Sequence, residues 1–371
     1  MPKVLFLLAV PPPIHGASVM GKYIQDSKVI NESYQISYIN LNTSTSVEEI
    51  GGAGLRKYFR IIGLLFKVFI QLIRLRPHFT YMTPTAGGMG FYKDWPLAML
   101  CKLFSNRFII HCHNKGVVNF QSNALDDWLY RRFFHKTDVI LLAKELFSDV
   151  SKYVSKERLY ICPNGIPDPE PNLKFKRLGK TEPLKILFLS NLIREKGIFD
   201  LLHAIALIKN ESIPIHCTII GGEGDVSKQE LLNEVSELNL DKEITYLGKK
   251  YGKEKHEIIQ ASDVFVFPTY YRKECFPLVI LEAMAFGLPV ITTDEGGIRS
   301  IINNRINGLI VDSNAPGKLA IAIKELAENE ELRLFLSQSA RKDFTQNFTL
   351  EKFEENFLNS INRIIKTNYQ V

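Results

Sequence analysis

Residues 263–293 read DVFVFPTYYRKECFPLVILEAMAFGLPVITT. After Asp263, residues 264–267 are β-branched and aromatic side chains closed by Pro268, the composition of a buried strand. A polar loop follows. Pro277 then opens a helical run reaching about Phe286, where its missing N–H is no loss, and Gly287 stops that run. Pro289 opens a second apolar strand at 288–293. Strand, loop, helix and strand in this order form the repeating unit of a parallel sheet with a right-handed crossover.

The same alternation extends in both directions. Strands at 184–190, 214–220 and 243–247 precede this unit and one at 308–312 follows it. Upstream lies an earlier series, with strands at 3–10, 34–41, 79–83, 107–113, 137–143 and 158–162 and helices near 16–29, 55–76, 92–105, 122–135 and 143–154. Two such series predict an α/β chain with two doubly wound, Rossmann-like parallel sheets. The division expected is a first domain over 1–170, a linker over 171–183, a second domain over 184–345, and a helical tail over 346–371 packing back on the first domain. Four prolines between Pro163 and Pro171, then the charged run Lys174-Phe175-Lys176-Arg177, mark the join. Ligands of open parallel sheets bind beyond the C-terminal strand ends, so the expected site is a cleft between the two domains.

Composition agrees with this and narrows the partners. The 371 residues are 46% hydrophobic and 23% charged, ordinary for a globular chain of two domains. A net charge of +6 favours phosphates or acidic lipid, and nucleic acid is not expected as a partner. The five cysteines form no C-x-x-C pair, so neither a disulfide framework nor a zinc knuckle is suggested. The apolar run from Val4 to Val10 before Pro11-Pro12-Pro13 is too short to span a bilayer and poor as a signal peptide. A cytoplasmic protein is the expectation, with the inner face of the cell membrane as an alternative place of work.

Several strand ends carry groups suited to a diphosphate. The start of the helix after 263–268 offers the backbone of Cys275, Phe276, Pro277, Leu278 and Val279, and free amides there form an anion site. Glu274 lies just before it and Glu282 within it, roughly 7.5 Å of rise beyond Pro277. A carboxylate so placed can take both hydroxyls of a ribose; equally, two glutamates can be solvated charges on a surface helix. The end of strand 184–190 runs Asn191-Leu-Ile-Arg194-Glu195-Lys196-Gly197, where Lys196 can neutralise phosphate as a point charge. Gly221-Gly222-Glu223-Gly224 lacks the full dinucleotide spacing and reads as a turn lining the pocket, with Tyr246-Leu247-Gly248-Lys249 bordering the base.

Glu-x7-Glu, then Ala283-Met-Ala-Phe-Gly-Leu-Pro-Val-Ile, then Gly296-Gly297 and Asn307-Gly308 resemble the retaining glycosyltransferases of family 4. The resemblance covers nearly the whole chain and is most specific over 184–312. It implies a GT-B fold and a nucleotide-sugar donor, UDP by default, with no cofactor beyond that substrate. It further implies that Glu282 holds the ribose and that Glu274 contacts the sugar; Lys196 faces the diphosphate, and Arg194 is either a second charge there or part of a solvated cluster at the helix start. The family usually has an arginine where Asn191 stands, so this chain departs from the pattern there. The loop Pro11-Pro-Pro-Ile-His15-Gly16 resembles the family's acceptor-domain glycine loop. His113 matches a histidine that contacts the transferred sugar, and Glu274, His113 and Lys196 are thereby the expected catalytic groups.

His111 and His113 share a face at the end of strand 107–113. Two histidines without nearby carboxylates or cysteines make a poor metal site, and His111 reads as a packed strand residue. No Asp-x-Asp stands at a strand end, so metal-independent donor binding is expected. The resemblance favours front-face transfer through an oxocarbenium-like state. It also suggests work on a lipid-linked or oligosaccharide acceptor in bacterial surface-polysaccharide synthesis.

Residues 55–76 are apolar and basic. Arg56, Arg60, Lys67 and Arg74 form one stripe, and with Lys57 and Phe59 they make a rim near the acceptor side. Either the rest of the helix is buried in its domain, with contact to an anionic membrane at its edge, or the helix is interfacial throughout. Two other functions fit the same residues: a different GT-B nucleotide-sugar enzyme such as an epimerase, or a non-catalytic nucleotide-binding homologue that assists a transferase. Asn191 is the residue that favours the latter.

Overall fold

Among the described residues, twelve strands form where the short apolar runs lie, because β-branched side chains on both faces can be satisfied only between covering helices. The computed structural model describes residues 1–42, 55–175, 182–211 and 213–367. They fall into two units, Met1–Asn164 with Leu350–Val371, and Gly165–Thr349. The linker reading falls partly on 176–181, which lie outside the described residues, and of residues 55–58, Arg56 and Lys57 of the rim among them, the backbone alone is described.

In the first unit the chain runs β1 (Lys3–Leu8), α1 (Gly16–Asp26), α2 (Lys28–Ser33), β2 (Gln35–Asn40), α3 (Leu55–Leu75), β3 (Phe79–Met82), α4 (Gly88–Phe104), β4 (Phe108–Cys112), α5 (Ala124–Phe134), β5 (Asp138–Leu141), α6 (Phe147–Val150) and β6 (Leu159–Ile161). The sheet is all parallel, in the order β2-β1-β3-β4-β5-β6. The order reverses between β1 and β3. Where one helix was expected over 16–29, two are found. Ser27 is extended, and its hydroxyl accepts from the Ile30 amide at 3.2 Å, so it ends α1 and caps α2. α4 starts four residues earlier than expected and holds Pro96 inside it.

The second unit runs β7 (Leu184–Leu189), α7 (Ile198–Lys209), β8 (Ile215–Ile220), α8 (Lys228–Glu237), β9 (Ile244–Tyr246), α9 (Gly252–Ala261), β10 (Val264–Phe267), α10 (Leu278–Ala285), β11 (Val290–Thr292), β12 (Gly308–Ile310), α11 (Pro316–Glu328) and α12 (Glu330–Asn347). Its sheet has the order β12-β11-β10-β7-β8-β9, again all parallel, and the order reverses between β7 and β10. The stretch after Gly165 is held to α12 by Arg341, whose guanidinium donates to both Asp168 carboxylate oxygens at 2.8 and 2.6 Å.

The last described helix, α13 (Leu350–Lys366), belongs to the first unit. Phe353, Phe357, Ile361 and Ile364 recur at helical spacing and are all buried. The Phe357 ring lies edge-on to Tyr81 at 5.2 Å and to Phe6 at 6.2 Å, directly on β1 and β3.

Of the two readings of α3, burial of most of the helix in its domain is not what is found. Leu64, Val68 and Leu72 face inward, while Phe59, Ile62, Phe66 and Ile73 are exposed. A helix laid on one face of a sheet covers only one stripe of itself, and α3 carries more apolar side chains than that stripe can take.

Candidate functional site

The loops after β7 and β10 flank the point where the strand order of the second unit reverses, the position at which an open parallel sheet forms a crevice. They are tied together. The Tyr270 amide donates to the Glu195 carbonyl at 2.8 Å, and Gly197, at φ +81, lies so near Pro268 that an added Cβ would stand 2.2 Å from its carbonyl oxygen. This approach brings the Lys196 ammonium onto the Glu274 carboxylate. The two side chains are only 13% and 9% exposed, and the ammonium also sits 4.6 Å from the Tyr271 ring centroid. Glu274 is in turn backed by the glycine turn after β11. Gly297 donates to the Cys275 carbonyl at 2.8 Å, and Gly296 adopts φ +59, with room for no Cβ against the Glu274 carbonyl. The Gly-Gly pair therefore holds the peptide that aims Glu274.

α10 begins one residue later than expected, because Pro277 is extended (ψ 116) and serves as its N-cap. Cys275 and Phe276 are buried, so their contribution to a ligand is backbone. The Leu278 and Val279 amides donate to no acceptor among the described residues, and together with the helix dipole they make a place for negative charge. Further along α10, Glu282 pairs with Lys255 of α9 at 2.7 Å. Lys255 had no part in the sequence reading; it stands 27 residues away, and only the packing of α9 against α10 reveals it.

Asn191 is part of the scaffold of this region. Its side-chain oxygen accepts from the Gly222 amide at 3.3 Å, stitching the end of β7 to the glycine turn after β8. Gly221, at φ +158, would place a Cβ 1.7 Å from the Ser190 carbonyl oxygen, so the turn admits only glycine there. Arg194 is half exposed. Its guanidinium bonds Glu230 and lies over the Phe199 ring at 4.4 Å. The structure thus joins Lys196 to Glu274 and Asn191 to Gly222, and gives Arg194 a separate partner.

In the first unit, His15 caps α1. Its Nδ1 accepts from the Ser18 amide at 3.3 Å while the Ser18 hydroxyl accepts from the His15 amide at 3.0 Å, and Gly16 is the first helical residue. His111 is fully buried and meets the Tyr81 hydroxyl at 2.8 Å through Nδ1. The His113 ring lies tilted against it, with ring centroids 4.3 Å apart. Both ring nitrogens of His113 are buried without a hydrogen-bond partner. Burial, reinforced by nearby His15, pushes its pKa down to about 3, so it is neutral at pH 7. A buried imidazole with two unpaired nitrogens is suited to receiving a polar ligand.

Residues 170–343 match the family model of glycosyl transferases group 1. The chain is 26% identical over 258 residues to an uncharacterized glycosyltransferase of Methanocaldococcus jannaschii, a match covering 66% of this chain and 64% of that one. It is 28% identical over 228 residues to the UDP-Gal:alpha-D-GlcNAc-diphosphoundecaprenol alpha-1,3-galactosyltransferase of Escherichia coli, covering 59% and 56%. It therefore spans rather less than two thirds of the length of these curated relatives. Anabaena HepE, solved in complex with UDP, superposes with a TM-score of 0.76 over 98% of this chain and 100% of that one at 15% identity, which establishes a shared fold. With two parallel sheets of this kind and a family match spanning most of the second, the chain has the GT-B fold, and its residues 170–343 match the glycosyl transferases group 1 family.

Proposed function

We propose that this chain transfers a hexosyl group, with retention, from a UDP-sugar to a lipid-linked or oligosaccharide acceptor, in the building of a bacterial surface polysaccharide. The observation that carries the reading is the Lys196–Glu274 pair beside the unpaired Leu278 and Val279 amides at the strand-order reversal. A diphosphate arriving there takes the ammonium and the amides for itself and releases the Glu274 carboxylate to sugar hydroxyls. Glu282, with one oxygen held by Lys255, keeps the other for the ribose. His113, neutral through burial, offers a hydrogen bond to the sugar. The bond between the anomeric carbon and the diphosphate oxygen breaks as the acceptor oxygen bonds to the same face, and the acceptor proton passes to the departing phosphate. Lys196 and the amides meet the charge that develops, so the reading calls on no metal and no cofactor beyond the nucleotide-sugar. No described helix is long and apolar enough to cross a membrane, and the proposed place of work is the cytoplasmic side, at an anionic membrane surface where the acceptor is lipid-borne. The printed specificity of the Escherichia coli relative, a UDP-sugar and a diphosphoundecaprenol acceptor, supports this choice.

The test is a panel of UDP- and GDP-sugars, scored for protection against thermal unfolding and for slow donor hydrolysis. UDP is expected to protect, and Glu282→Ala to abolish that protection. Absence of protection by every nucleotide would refute the donor reading. Turnover left intact in Lys196→Ala or Glu274→Ala would refute the assigned roles.

A further inference from the structure

α3 carries no acidic residue in its 21 positions. At about 100° per residue its described side chains sort into three stripes. Leu64, Val68 and Leu72 are 9%, 0% and 1% exposed and form the face turned into the first unit. On the far side, Phe59, Ile62, Phe66 and Ile73 are 73%, 61%, 63% and 46% exposed. Beside this ridge run Arg60, Lys67 and Arg74, seven residues apart and all exposed. The ridge is about 21 Å long at 1.5 Å per residue, and cations accompany it throughout.

That pattern selects among occupants. Large exposed apolar side chains at helical spacing are a surface kept for contact. A second copy of the chain, docked about a two-fold axis on this ridge, would bring two cationic stripes together with no acid on either helix to relieve them. A bilayer containing anionic lipid satisfies both stripes at once, with acyl chains for the ridge and headgroup phosphates for the cations.

We propose that α3 is an in-plane membrane-binding helix, with Phe59, Ile62, Phe66 and Ile73 seated among the lipids and Arg60, Lys67 and Arg74 on anionic headgroups. This takes its purpose from the lipid-linked acceptor reading, since it would bring the first unit to the surface that carries such an acceptor. Its geometry stands on α3 alone.

The experiment is co-sedimentation of the full chain with vesicles of phosphatidylcholine alone, or of phosphatidylcholine with an equal part of phosphatidylglycerol. Binding is expected to the mixed vesicles, weakening as salt rises. Arg60→Gln with Lys67→Gln and Arg74→Gln should weaken it about a hundredfold, and Phe59→Ser with Phe66→Ser at least tenfold. Thermal unfolding midpoints of both variants in the absence of nucleotide should match that of the parent chain, which shows that they are folded. No binding by the parent chain, or undiminished binding by these variants, overturns the proposal. So does self-association without lipid that the phenylalanine variant abolishes. The two readings fail separately: loss of UDP protection in the parent chain sinks the donor assignment and leaves vesicle binding in place.

Discussion

Lowering the pH from 7 to 5 should destabilise the first unit through His113. Its folded pKa is about 3 against an ordinary 6.5, because burial and His15 oppose its charge and His111 beside it is buried as well. Between those values the unfolded chain binds a proton that the folded chain does not. The stability tied to the neutral ring is therefore present above pH 6.5 and is lost as pH falls toward 3. From pH 7 to pH 5 the loss from this one group amounts to about 2 kcal/mol. His111, shifted in the same direction, adds to the slope of the parent chain. The comparison is parent chain against His113→Asn in urea unfolding at the two pH values. Trp95 and Trp128, the chain's two tryptophans, stack in the first unit, so their fluorescence reports the unit that holds His113. The variant should lose about 2 kcal/mol less than the parent between pH 7 and 5, whatever its stability at pH 7. Equal losses would show that the ring is hydrated or paired when folded, and the neutral role given to it would fall.

Gly296→Ala places a Cβ 2.3 Å from the Glu274 carbonyl oxygen at a backbone φ of +59. It should cost about 1–2 kcal/mol from the left-handed conformation alone and also remove UDP protection, both readable in one thermal melt; protection retained in full would show that the turn does not aim Glu274. Lys255→Met should weaken UDP about tenfold by titration calorimetry and 2′-deoxy-UDP less, the loss of one charge-assisted hydrogen bond that orients Glu282. Equal losses for both nucleotides would refute action through the ribose. Phe357→Ala should remove about 3–5 kcal/mol from the tryptophan-reported transition, since its ring packs on Phe6 and Tyr81; an unchanged midpoint would mean that α13 is not part of that core.

The strands were legible because a buried parallel strand is a short, nearly unbroken apolar run between turn residues, a signal local to each segment. Helix ends were less so. Pro277 reads as a first helical residue from composition, yet its extended ψ is set by the loop behind it, and Ser27 is both the end of one helix and the cap of the next. The pairing of Lys196 with Glu274 depends on the β7–β10 adjacency, a crossover that no local pattern specifies, although both residues were marked by their strand-end positions. Lys255 lay outside any recognisable motif. A lysine on a polar helix has no signature until the opposing carboxylate is in place. The exposed ridge of α3 was hidden for a different reason: a sequence shows how many apolar residues a helix holds, and not how much of its girth the sheet will cover.

The return of α13 has a consequence for how the chain is made. β1 and β3 of the first unit are covered by Phe357 of α13, which emerges from the ribosome only after the whole of Gly165–Thr349 has been synthesised. At ~5–20 residues per second that delay is on the order of ten seconds or more. The strands translated first wait with an apolar face uncovered while the later-born unit, continuous in sequence, already has every element it needs. Birth order and completion order are thus reversed, and the interval in which the nascent chain most needs a chaperone is the one just before its last helix appears.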